Sequence, residues 1–255
     1  MPPVLLHLHI PRTGGSSLNL ALQSGFAEES LYNYTGLKEF FVDVAFGPRG
    51  KEVRCVTGHF HYGLHEYFED SIYLIVLRDP VHRVRSLYSY IKRNPNHRIH
   101  QLLNEHVGNV SHFLSAVGDV SSQFSNGQVR QLNWFHRAGL RRMGERHLKE
   151  AKRHLSAENC IVAFSEDLDQ LVANLGALYD VAFSPVGRIN GSDCIEMDRD
   201  ERIDDLIRSQ NELDMELYRW ARKNFPASNE PAAAIRIKRW LASKILRQST
   251  SQAAH

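Results

Sequence analysis

The stretch Val4-Leu5-Leu6-His7-Leu8-His9-Ile10-Pro11-Arg12-Thr13-Gly14-Gly15-Ser16-Ser17-Leu18 constrains the fold more than any other. An apolar run meets a proline and a basic residue, then two glycines, two serines and an apolar helical pattern. That order predicts a strand, a tight loop and a helix start. Gly14 and Gly15 permit backbone angles that a Cβ resists and let main-chain amides approach a ligand closely. Ser16 and Ser17 add hydroxyls where the unpaired N–H groups of a new helix point outward. Such a loop suits a phosphate or sulfate, because a helix N-terminus favours negative charge. The plain alternative is an ordinary strand–turn–helix connection in which glycine and serine are only turn residues. A nucleoside-triphosphate loop would need Gly-Lys-Ser/Thr after four spacer residues. Here the basic residue, Arg12, precedes the glycines, which argues against ATP held in the usual way.

Beyond that loop, an apolar helix face ends near Gly25, residues 26–51 are mixed, and Val53-Arg54-Cys55-Val56-Thr57 reads as the next strand, running into Gly58-His59-Phe60-His61. Ile72 to Leu77 is continuous and apolar, as in a strand covered on both faces. It ends in Arg78-Asp79-Pro80-Val81-His82-Arg83-Val84-Arg85-Ser86-Leu87-Tyr88, where Asp79 can cap a helix and Pro80 suits its first turn. Arg78 lies at the carboxyl end of its strand, where open parallel sheets bind ligands. Its planar fork can hold two phosphate oxygens at once. The plain alternatives are a surface cation for Arg78 and a small core-facing residue for Ser86. Residues 94–127 predict short helices and loops, 145–155 a charged helix, 159–164 a further strand, and 168–179 a helix capped by Ser165-Glu166-Asp167. The alternation predicts an α/β protein with a mainly parallel central sheet covered by helices on both faces.

The 255 residues allow a sizeable core, organised as one domain over 1–228 and a tail over 229–255. The net charge of +2 points to neither nucleic acid nor membrane, but five of the 31 basic residues lie beyond Ala232 with no acidic residue among them. Arg236, Lys238, Arg239, Lys244 and Arg247 interleave there with Ile235, Ile237, Trp240, Leu241, Ile245 and Leu246. A basic amphipathic helix of that kind can lie on an anionic membrane surface; the alternative is a terminal helix docked on the domain. Cys55, Cys160 and Cys194 are odd in number and lack metal or disulfide spacing, which reads as free thiols in a reducing compartment. With no leader pattern and no apolar segment of membrane length, the expected compartment is the cytoplasm, with contact at the inner membrane surface through the tail as the extension.

Taken together, Pro11-Arg12-Thr13-Gly14-Gly15-Ser16-Ser17 and Arg78-Asp79-Pro80-Val81-His82-Arg83, followed by Ser86 and Tyr88, resemble the two donor-binding signatures of carbohydrate sulfotransferases, most closely the group of the heparan sulfate 2-O- and 6-O-sulfotransferases. Thr57-Gly58-His59 resembles the segment carrying that group's catalytic histidine. Asn126 to Leu132, Phe164-Ser165-Glu166 and Asn211 to Tyr218 extend the likeness over residues 4–225. The resemblance implies a three-layer P-loop-like fold and 3′-phosphoadenosine 5′-phosphosulfate (PAPS) as sulfuryl donor. By position, Arg12, Thr13, Gly14, Gly15, Ser16 and Ser17 would cradle the 5′-phosphosulfate, and Arg78 and Ser86 would hold the 3′-phosphate. The family most often has lysine where this chain has Arg12. Arginine keeps the charge and changes a point donor into a fork.

Sulfuryl transfer to an alcohol needs an anion cradle, neutralisation of the departing oxygen, in-line placement and removal of the acceptor's proton, the demands of phosphoryl transfer by analogy. Arg12 is the candidate for the second and His59 for the last, since an imidazole titrating near ~6.5 suits a general base. His61, two residues on, faces the same side of an extended chain and is the second candidate. His59 and His61 as metal ligands would need a third partner that the spacing does not offer, so no metal is expected. The expected partner is a carbohydrate or glycan acceptor. A P-loop-type kinase and a non-catalytic nucleotide-binding adaptor of the same fold are the competing readings.

Overall fold

A computed structural model describes residues 2–105, 110–114, 123–133, 143–186 and 201–225. The tail over 229–255, the loop with Asn190, Gly191 and Ser192, and Cys194 lie outside them.

Five parallel strands form the centre: β1 (Val4–Leu8), β2 (Leu31–Tyr34), β3 (Cys55–Gly58), β4 (Ser71–Leu77) and β5 (Cys160–Phe164), in the spatial order β2-β3-β1-β4-β5. The strand that feeds the glycine loop is therefore central, with β3 on one side and β4 on the other. All seven residues of β4 are buried, which accounts for its unbroken apolar sequence: helices cover both faces, and neither can tolerate a polar row.

β1 serves the two faces alternately, as the two-residue repeat of a strand requires. Leu6 and Leu8 pack with Phe40, Val129, Leu148, Ala151, Leu155 and Leu217. Leu5 packs on the other face with Leu18, Ala21 and Leu22 of helix α1 (Gly15–Gly25) and with Leu171, Val172 and Leu175. A third cluster joins Val84, Leu87 and Ile91 to Leu103, Phe113, Phe124 and Ile207. Each fully buried aliphatic side chain of this kind contributes about 1.5–3 kcal/mol. The α/β, three-layer P-loop-like class expected above is the class observed.

Further helices are α2 (Leu37–Phe40), α3 (Pro80–Lys92), α4 (His100–Glu105), α5 (Gly127–Gln131), α6 (Glu145–Leu155), α7 (Leu168–Tyr179), α8 (Glu201–Gln210) and α9 (Glu212–Asn224). Asp79 caps α3 as its sequence implies, its carboxylate accepting from the His82 N–H at 3.0 Å, with Pro80 in the first turn. Asp167 occupies the corresponding place before α7 but its side chain makes no capping bond. Glu166 turns instead to Arg222 and Tyr218 of α9, at 3.0 Å each.

The mixed region 26–51 conceals β2. Its four residues include Asn33 and carry no clear alternation, and its partner β3 lies more than 20 residues on, pairing Leu31 with Cys55 and Tyr34 with Gly58. An edge strand of that length is held by its neighbour rather than by its own composition. The apolar patch that follows it is helical, α2 running into a wider turn over Phe41–Ala45. Among the described residues no helix is long and apolar enough to cross a membrane. Cys55 and Cys160 are buried and are not joined in a disulfide.

Candidate functional site

Because all five strands run the same way, the segments that follow β1, β3, β4 and β5 emerge at one edge of the sheet. Register fixes which of them meet. Leu8 of β1 lies opposite Gly58 of β3 and Ile75 of β4, so His9 and His59 follow side by side, with the His9 N–H donating to Gly58 O at 2.9 Å.

The glycine loop is built from two left-handed residues. Arg12 has φ 69° and Gly14 φ 94°; the first is uncommon for a residue with a Cβ, and such angles gather at functional loops. The Thr13 hydroxyl closes the turn by donating to Ile10 O at 2.9 Å, and is itself buried. The first intrahelical bond of α1 runs from Leu18 N–H to Gly14 O at 3.1 Å. The N–H groups of Gly15, Ser16 and Ser17 therefore precede the helical ladder, as a helix start requires. Ser16 is exposed and Ser17 half-buried. Gly15 is needed for space: a Cβ there would come within 2.0 Å of the His9 ring.

The two motifs separated by more than 60 residues converge. Arg12 donates from Nε and Nη2 to the Ser86 hydroxyl, at 3.1 and 3.0 Å, and its guanidinium lies 4.9 Å from the Tyr90 ring centroid. Arg78 donates from Nη1 to Arg12 O at 3.1 Å, bracing the loop from behind. Ser86 and Arg83, three apart on α3, both face inward.

Gln128 of α5 clasps the main chain of Arg78 from both sides, accepting its N–H at 3.0 Å and donating to its carbonyl at 2.9 Å. Asp214, wholly buried, accepts in turn from the N–H groups of Gln128 and Val129 at 3.0 and 2.8 Å and lies 3.6 Å from Arg83 Nη2. Burial pushes the Asp214 carboxyl above its ordinary value, opposed by Arg83 and by those two N–H groups, and burial likewise lowers Arg83. Asn126 completes the clamp, taking the Leu213 and Asp214 N–H groups on its side-chain oxygen at 3.0 and 3.1 Å. The Asn126–Leu132 and Asn211–Tyr218 segments thus hold each other and, through Gln128, the end of β4.

His59 is exposed at the cleft, and its Nδ1 donates to His9 O at 2.7 Å. In the neutral ring this bond leaves Nε2 with a lone pair, the state a proton acceptor needs. His61 has the same arrangement, Nδ1 donating to Arg130 O at 3.2 Å, and burial lowers its pKa. Both line a cleft of about 450 Å³, together with Arg12, Ser16, Arg83 and Arg130, and among the described residues no Asp or Glu lines it. A cleft of about 580 Å³ lies over the β2 edge, lined by Glu28, Glu39, Asp43 and Arg49 among others. No motif residue reaches it.

His7 and His9 are absent from the candidates read off the sequence. They alternate with Leu6, Leu8 and Ile10, so both face α1, and the matching face of β3 carries Thr57. His7 Nδ1 lies 2.8 Å from Thr57 Oγ1 and 2.9 Å from Asn19 Oδ1, and the Thr57 hydroxyl donates to Asn19 at 2.6 Å. The rings follow one another outward, His7 stacked on His9 at 5.4 Å and His9 tilted against His59 at 4.4 Å between centroids. Burial holds His7 down to about 4; burial, with His7, His59 and Arg12 nearby, holds His9 down to about 2. Alternation with period two was the signal that could have found them.

Among the described residues no group of His, Cys, Asp and Glu could hold a metal ion. The chain is thus a P-loop-like α/β protein whose glycine loop and His59 open onto one basic cleft. No protein-family model and no curated protein matches the chain. Solved structures with a similar fold include two sulfotransferases. One is a sulfotransferase from Alicyclobacillus acidocaldarius, with 17% identity and TM-score 0.47 over 85% of this chain and 94% of that one. Another is mouse sulfotransferase SULT7A1 complexed with PAP, with 14% identity and TM-score 0.42 over 84% of this chain and 66% of that one.

Proposed function

We propose that the protein is a sulfotransferase, moving a sulfuryl group from PAPS to a hydroxyl of a carbohydrate or glycan acceptor with His59 as general base. The observation that carries the proposal is the anchoring of His59 Nδ1 on His9 O at 2.7 Å, beside a cleft that, among the described residues, is lined by three arginines and no carboxylate. A donor with a phosphosulfate and a 3′-phosphate needs cations at both ends, and Arg12 with Ser16 of the loop, then Arg78 and Ser86, are suited to those two grips.

On this reading, the amides at the start of α1 and the Ser16 hydroxyl hold the sulfuryl oxygens, an electrostatic term usually among the largest in catalysis. His59 Nε2 takes the acceptor's proton as the acceptor oxygen bonds to sulfur. The bond from sulfur to the phosphate oxygen breaks, and Arg12 meets the charge left on that oxygen. The products are the sulfate ester and adenosine 3′,5′-bisphosphate, with the proton on His59. To reach that oxygen Arg12 must leave Ser86, which frees the hydroxyl for the 3′-phosphate.

A kinase would lack the lysine that follows the glycines in a triphosphate loop. An adaptor would gain nothing from an imidazole held in one tautomer. Calorimetry with adenosine 3′,5′-bisphosphate and with AMP tests the proposal: the bisphosphate should bind at least about tenfold more tightly, the 1.4 kcal/mol that one charged contact supplies. Equal affinity overturns it. His59→Ala should abolish transfer of labelled sulfate to a glycan panel while leaving bisphosphate binding intact, and Arg78→Ala should weaken binding itself.

A further inference from the structure

The side chains of the two histidines beneath His59 have no part in the chemistry above, yet one of them touches both halves of the site. The His9 ring lies on the His59 ring at 4.4 Å between centroids with planes 35° apart, and it fills the space over Gly15, where a Cβ would meet its Cδ2 and Nε2 at 2.0 Å. Its own main-chain carbonyl is the acceptor for His59 Nδ1. His7 backs it at 5.4 Å and is tied to Thr57 and Asn19, so the stack cannot slide inward.

We propose that His9 is a positioning residue, a wedge between the glycine loop and His59 that fixes the plane, the tautomer and the distance from the loop of the His59 imidazole. Without the ring, His59 can rotate about its side-chain bond and leave the carbonyl, and the proton then moves to Nε2, the nitrogen that must accept one. Among the described residues, the charged and titratable groups around the pair are His7 from β1, Arg12 from the loop, and His61, Arg83, His97 and Arg130 lining the cleft. A neutral His9 adds no positive charge to that set. An imidazolium formed on His59 then meets the face of an uncharged ring rather than a second cation. The role rests on the sulfuryl-transfer reading for its catalytic meaning, but not for its geometry.

The test therefore needs a readout that works without turnover. Nitrogen-15 NMR of the imidazoles, with His59 identified by its loss in His59→Gln, reports which nitrogen carries the proton. In the native chain and in His9→Phe, which keeps a flat uncharged ring over Gly15, neutral His59 should be protonated on Nδ1. In His9→Ala its two nitrogens should average between tautomers. Where transfer is measured, His9→Ala should lower kcat about tenfold to a hundredfold, the scale of a small misplacement of a reacting group. It should also shift the acidic limb of the pH profile, and His9→Phe should recover most of both. If His9→Ala does not fold, Gly15→Ala displaces the ring from the loop side and should disturb the same tautomer. An unaltered His59 tautomer in the folded variant overturns the proposal, and so does equal impairment of His9→Phe and His9→Ala. Absence of any transfer by the native chain, with the tautomer shift present, would refute the sulfotransferase reading and leave the wedge standing.

Discussion

Replacing Asp214 should uncouple the clamp behind the site, and the size of the loss follows from what its carboxylate touches. Asp214→Ala leaves two buried N–H groups, of Gln128 and Val129, without their acceptors, at roughly 1–3 kcal/mol each. It also strips Arg83, 1% exposed, of the carboxylate 3.6 Å away; removing one partner of a buried pair costs about 3–5 kcal/mol. The terms overlap because they share one site, so the expected loss is about 4–6 kcal/mol, a large part of the roughly 5–15 kcal/mol that holds a domain folded. Asp214→Asn keeps one acceptor oxygen and should cost about 3 kcal/mol, lowering Tm by about 6–12 °C in a chain of this size. Urea denaturation followed by circular dichroism measures both. Adding Arg83→Met to Asp214→Asn removes the orphaned charge, and the double variant should lose at least about 1 kcal/mol less than the two single losses together. A loss below about 0.5 kcal/mol for Asp214→Asn, or strict additivity in the cycle, would refute the clamp as described.

Three further outcomes are expected. Gly14→Ala places a Cβ on a residue at φ 94° and 2.7 Å from Leu168 Cδ1; it should lower stability by about 1–2 kcal/mol and weaken adenosine 3′,5′-bisphosphate binding, both measurable by thermal shift with and without the nucleotide. Stability should fall as the pH drops below about 6.5. The unfolded chain protonates His7 there and the fold resists until about 4, so His7 alone removes about 3 kcal/mol across that window and nothing above it, at 1.36 kcal/mol per pH unit; His7→Phe should flatten the acid limb of the denaturation curve. Ser86→Ala should release Arg12 from its hydroxyl partner and weaken bisphosphate binding by about tenfold, for one charge-assisted bond lost at roughly 1.5 kcal/mol, read by calorimetry.

Local features were legible without the fold. The start of α3 follows from Asp79 and Pro80, because a side chain and an N–H three residues on settle it between themselves. The glycine loop follows from Pro11 to Ser17, and β4 from its unbroken apolar run, for the same reason: each is decided by angles or burial that a short segment sets for itself. β2 was not legible, since Leu31 to Tyr34 form a strand only where Cys55 to Gly58 supply the partners.

Assembly of the site was decided by tertiary structure. The sequence nominated Arg12, Ser86, Arg78 and His59 separately, whereas their contacts depend on strand register and on the crossing of α3 behind the loop. Arg12 reaches Ser86 across 74 positions of chain, and the N–H groups of Gln128 and Val129 meet Asp214 across 86 and 85. The histidine stack shows the division most plainly. Alternation in β1 fixed that His7 and His9 share a face, but only the pairing of β1 with β3 set Thr57 against one and His59 against the other. Period within a strand is a property of the backbone, while register between strands is a property of everything packed around them.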